Sequence, residues 1–231
     1  MILLVRKMVV AFAAISALAI VASAQSVSAD KQEEMGRGQG AYYNLTKQGF
    51  NGFKSTIDPN WEVILGPTAT ADNLKIFRAL RFSMTVDANG NATVSYEVVN
   101  PDKIRLEPYV NQIHGHVNRL VTSFFRTWAM FVISPPETDQ TEWKLAGTSG
   151  TQTIKPQFKQ TAAGLLLTNY HTNFEPSTTL GIKTDLDVQI EYQELSGLKL
   201  PHKIQIKGIH GSEPVEADLE FNQLVLNPRL K

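Results

Sequence analysis

This sequence predicts an α+β fold: an antiparallel sheet covered by one long amphipathic helix and by shorter helices. Three observations predict it. Apolar residues recur at helical spacing over 108–133, apolar and polar residues alternate along the strands after 184, and Asn89-Gly90 sits between two alternating runs.

The long helix comes first because the rest needs it. At 100° per residue, Val117, Val121, Phe124, Phe125, Trp128 and Phe131 fall in one arc, with Asn111, Asn118, Arg119 and Arg126 opposite. That is a helix with a wide apolar face. Pro108 suits its first turn, where a missing N–H costs nothing. Pro135-Pro136 stops it. At 1.5 Å per residue it is roughly 37 Å long. Such a face needs a sheet to lie on.

Taken in order, residues 1–24 read as a secretory signal peptide. Arg6 and Lys7 precede an apolar run over 9–21, and Ala22-Ser23-Ala24 offers the small residues of a cleavage site. The run is short for a membrane span, which needs about 20 residues. The style is bacterial, so the chain is expected in the periplasm or secreted. Residues 25–40 read as a flexible leader; Gly36 to Gly40 lacks the preceding strand that a phosphate cradle requires. Residues 41–231 then form a single α+β domain, long enough for a real core.

Within that domain, 41–50 is expected to be a short helix with Tyr42, Leu45 and Phe50 on one side. Residues 53–57 open the sheet, Asp58-Pro59-Asn60 turns the chain, and 72–80 forms a second short helix. Residues 81–86 and 92–98 make a hairpin, since Asn89-Gly90 supplies the positive φ of the turn. Short strands are expected at 143–145 and 154–158, and longer ones at 164–174, 185–195, 198–207 and around Val215 to Phe221. Pro201 belongs at a sheet edge or a bulge. Clean alternation means one apolar and one wet face.

Composition excludes several functions. There are 22 basic and 22 acidic residues, so no global basic field invites nucleic acid. Zero cysteines exclude disulfides, thiol chemistry and cysteine metal sites. They also exclude a bacterial lipid anchor. No Walker or dinucleotide fingerprint occurs, and Gly147 to Thr151 lacks the spacing of a nucleophile elbow.

Five histidines remain. His114 and His116 point about 200° apart on a helix, so they cannot share a metal. His114 falls in the apolar arc and His116 on the polar side. His171, His202 and His210 lie on separate strands or turns. Asp185 and Asp187 share one strand face with Glu191 and Gln193, and acids opposite an apolar face read as solvent-facing. No catalytic residue, metal site or cofactor is assigned.

The segment 184–208, TDLDVQIEYQELSGLKLPHKIQIKG, resembles the late strands of the LolA/LolB-like lipoprotein-carrier superfamily, as does the overall layout. The resemblance implies a curved sheet, an open half-barrel, with helices as a lid over its concave apolar face. No ligand-contacting residue of that family can be matched here one by one.

The function expected is an exported, non-enzymatic carrier or sensor of an apolar ligand, a lipid or acyl chain held between sheet and lid. Val117, Val121, Phe124, Phe125, Trp128 and Phe131 are its candidate ligand-binding residues; as plain core they would fill the interior instead. Two alternatives stand beside it. One is an interaction module with a dry core, engaging an envelope protein through its polar face or a sheet edge. The other is a secreted hydrolase built from His and Asp.

Overall fold

The computed structural model describes residues 41–99, 110–136, 141–179 and 181–228. The expected signal peptide, the leader and Pro108 lie outside the described residues.

Nine strands form one sheet: β1 (Phe53–Pro59), β2 (Leu80–Val86), β3 (Ala92–Val98), β4 (Trp143–Gly147), β5 (Gly150–Thr161), β6 (Gly164–Pro176), β7 (Thr184–Leu195), β8 (Leu198–His210) and β9 (Glu213–Leu226). Among the described residues three α-helices accompany them: α1 (Trp61–Leu65), α2 (Ala71–Phe77) and α3 (Val110–Val132). The strand order is β3-β2-β1-β9-β8-β7-β6-β5-β4. Neighbours pair antiparallel throughout, and the last strand, β9, inserts beside the first.

Alternation places the core. Along β2, Leu80, Phe82, Met84 and Val86 are buried while Arg81, Ser83 and Thr85 face out. Leu186, Val188 and Ile190 of β7 and Ile204 and Ile206 of β8 are buried on the same side of the sheet. Each such side chain stabilises the fold by about 1.5–3 kcal/mol. Helix α3 joins this one core.

The helix meets the sheet at distant strands. β3 and β6 are six places apart, roughly 29 Å at about 4.8 Å per strand. Both contact α3, whose 23 residues, at about 1.5 Å each, make it long enough to span that distance. Of its 23 residues, only Asn111, Gln112, Arg119 and Arg126 are exposed.

This overturns the predicted fold class. The chain is not an α+β half-barrel roofed by helices: it is dominated by a nine-stranded antiparallel sheet, and among the described residues no helical layer covers it. α1 and α2 have only five and seven residues. α1 packs on β9. α3 is embedded among the strands as filling, with no role as a lid. The reason is strand growth. β5 to β9 run 12 to 14 residues each, beyond the alternating stretches legible in sequence, because neighbours on both sides supply backbone partners.

Two local expectations change as well. Residues 41–50 are not a helix. Only Thr46–Gln48 makes a 3-10 turn, while the Tyr43 N–H donates to the Leu165 carbonyl at 3.0 Å and the Leu165 N–H to that of Ala41 at 2.7 Å. β7 pairs with β6 only from Asn169 onward, so this segment satisfies backbone groups that β7 leaves free. It also closes α3. Leu45 N–H donates to the Val132 carbonyl at 2.9 Å and Thr46 Oγ1 to that of Ile133 at 3.0 Å, partners that a helix C-terminus lacks internally. The second short helix runs Ala71–Phe77, because Leu80 already pairs with Val98 in the sheet.

Pro201 sits at a bulge. Glu191 pairs with Lys203 and Tyr192 with Pro201, so His202 is the extra residue. β9 begins its pairing with β8 only at Lys203, so the missing Pro201 N–H breaks no ladder on that side.

The β2–β3 turn is held by Asp87. Its carboxylate accepts the Asn89 and Asn91 N–H groups, each at 2.8 Å, and Asn91 Nδ2 at 2.9 Å. Partial burial pushes the carboxyl pKa up, but these bonds outweigh it and hold it below the usual range. Gly90, at φ 83°, also presses against α3, where a Cβ would meet that of Ala129 at 2.5 Å. Asp87→Ala is expected to lower stability by about 1–2 kcal/mol, read as a shift of the urea midpoint at neutral pH.

Candidate functional site

The six candidate ligand-binding residues all lie inside. Val117, Val121, Phe124, Phe125, Trp128 and Phe131 are each 0 to 1% exposed. Their rings interlock with sheet aromatics. Phe125 lies 5.9 Å from Phe53, 5.5 Å from Phe221 and 5.5 Å from Trp128, centroid to centroid. Phe131 meets Trp143 edge-on at 5.1 Å. Pairs of this geometry add about 0.5–1.5 kcal/mol beyond burial. Trp128 Nε1 donates to the Tyr192 hydroxyl at 3.2 Å. Burial pushes the Tyr192 and Tyr170 phenols far up, so both stay neutral hydrogen-bonding groups at any working pH. The void beside Phe124, lined also by Ser123, Thr127, Gln152 and Tyr170, measures about 20 Å³. That holds about one water molecule and no acyl chain.

The two helix histidines exchange the roles that the wheel gives them. His116, expected on the polar side, is buried, with Nδ1 3.0 Å from Arg119. Burial first, and the Arg119 charge second, lower its pKa to about 4, so it is neutral at pH 7. His114, expected in the apolar arc, is only half-buried. Its Nε2 lies 3.1 Å from the Val94 carbonyl oxygen, and its ring 4.8 Å from that of Tyr96. β3 is an edge strand, and His114 occupies one of its outward carbonyls.

On the far face of the sheet, His171 Nδ1 lies 3.0 Å from Asp187 and Nε2 3.7 Å from Asp185. His171 and Asp187 border a depression of about 220 Å³. The two carboxylates are 52% and 72% exposed, so the contacts are worth little. His202 Nδ1 sits 3.3 Å from the Phe221 carbonyl, and His210 Nδ1 3.1 Å from the Thr184 hydroxyl. Among the described residues, no three His, Asp or Glu side chains come together as a metal site.

A much larger hollow lies elsewhere, on the outer side of β1, β2 and β3, and measures about 1350 Å³. The antiparallel register builds it in rows. Thr56, Ser83 and Ser95 lie opposite one another, with the two serine hydroxyls 2.9 Å apart. In the next row Arg81 lies opposite Glu97, 3.6 Å from it, and Asp58 borders the same hollow. At the α1 end, Arg78 pairs with Glu62.

Gln223 borders the same cleft. It has φ 53°, which costs a non-glycine residue about 1–3 kcal/mol. A bulge puts it there: Lys54 pairs with Val225 but Thr56 with Asn222, and the Ser55 and Thr56 hydroxyls both donate to the Asn222 carbonyl. Sequence reasoning missed this site. Its polar residues come from five elements and read locally as the wet side of a sheet.

No family model, curated protein or solved structure matches this chain.

Proposed function

We propose that the protein is an exported, non-enzymatic binding module with a packed interior, which engages another component of the cell envelope through its polar outer face. One observation carries this reading: the aromatic stripe that would have lined an acyl-chain pocket is 0 to 1% exposed and filled by neighbouring rings. A carrier needs an apolar space of several hundred Å³ for a lipid. The described interior beside the stripe offers about 20 Å³ at Phe124, whereas the large hollow is polar and outside. Export rests on the pattern of residues 1–24.

The test is native mass spectrometry of protein purified from the periplasm, followed by organic extraction. The expected result is the bare mass of a chain beginning near Gln25, with no stoichiometric lipid and no saturable binding of a fluorescent fatty acid. A lipid recovered one to one would restore the carrier reading.

A further inference from the structure

We propose that the outer cleft over β1, β2 and β3 is a binding site for a carbohydrate chain. The proposal rests on the reading of the outer face as the working surface, and names its ligand class.

Volume and polarity come first. At about 1350 Å³ the cleft exceeds the usual 300–1,000 Å³ of small-molecule sites, and its lining is neither apolar enough for lipid nor basic enough for nucleic acid. What it offers is short hydroxyls (Thr56, Ser83, Ser95) beside planar groups (Asp58, Asn60, Gln223). Vicinal sugar hydroxyls, each both donor and acceptor, match such a set. A carboxylate or an amide spans two neighbouring hydroxyls at once. Both guanidiniums are already neutralised, Arg78 by Glu62 and Arg81 by Glu97, so the cleft carries no net basic charge for an anion. Asp58 keeps an exposed carboxylate, with only the Asn222 amide at 3.5 Å.

Peptide capture by strand addition is the other use of such a place, and the edge disfavours it. His114 lies on the Val94 carbonyl, which an added strand would need as an acceptor. The bulge supplies an independent pointer. Strained non-glycine backbone persists where surrounding structure enforces it, often at ligand sites, and here the strain lies at a residue lining the cleft.

The experiment is calorimetric titration of the mature protein with defined hexasaccharides (cello-, chito-, malto- and xylo-series) and, in parallel, with extended peptides of mixed charge. Binding of at least one sugar series is expected, weakened about tenfold or more by Asp58→Ala with the urea midpoint little changed. Gln223→Gly should weaken sugar binding while raising the midpoint, because glycine adopts positive φ without strain. Binding of peptides alone, binding of no sugar series, or sugar binding indifferent to both substitutions would overturn the proposal. None of these bears on whether lipid co-purifies, so the packed-interior reading stands or falls separately.

Discussion

Trp128→Ala is expected to lower stability by about 3–5 kcal/mol, a large share of a typical total of 5–15 kcal/mol. Trp128 is fully buried, touching the rings of Phe50 and Phe125 at 6.4 and 5.5 Å. Truncation removes those contacts and also strands the Tyr192 hydroxyl, which receives the indole N–H at 3.2 Å. Trp128→Phe isolates the second effect. It keeps most of the apolar volume, loses the hydrogen bond, and should cost about 1–3 kcal/mol. Urea denaturation of both variants, read by far-UV circular dichroism, makes the comparison. A wild-type-like midpoint for Trp128→Ala would mean that space for a ligand already lies beside the indole, against the packed interior.

Much of the strand layout was legible, for a local reason. The β2–β3 hairpin needs only an alternating run, Asn89-Gly90 and another run, all within 19 residues (Leu80–Val98), and the β7–β8 pair turns at Ser196-Gly197 in the same way. The insertion of β9 between β1 and β8 was not legible, because it joins Phe53 to Leu226 and no local pattern encodes a partner so distant. The histidines on α3 show a subtler limit. A helical wheel supposes one buried side, but this helix meets strands on more than one side. His114 lies against an edge carbonyl and His116 is enclosed, so the apolar arc alone assigns them wrongly. The outer cleft was illegible for the opposite reason: each of its residues obeys the ordinary rule for a wet strand face, and only the register and the bulge at Gln223 assemble them.

Burial of His116 predicts a loss of stability in mild acid. Its folded pKa is lowered to about 4 from an ordinary 6.5, so between those values the unfolded chain binds a proton that the folded one refuses. A group of this sign contributes stability that is fully present above about pH 6.5. That stability is lost as pH falls toward 4, where the difference levels off. The difference of about 2.5 pKa units corresponds to about 3.5 kcal/mol at most, at roughly 1.4 kcal/mol per unit. His210, also lowered by burial, acts in the same direction. His116→Gln keeps a polar side chain of similar reach toward Arg119 but cannot take up a proton. The variant should therefore lose less stability than the wild type between pH 7 and pH 4.5, even if it starts lower at pH 7. Urea midpoints across that range decide it. Parallel curves would mean that His116 titrates alike in both states, which an enclosed imidazole beside a guanidinium cannot do.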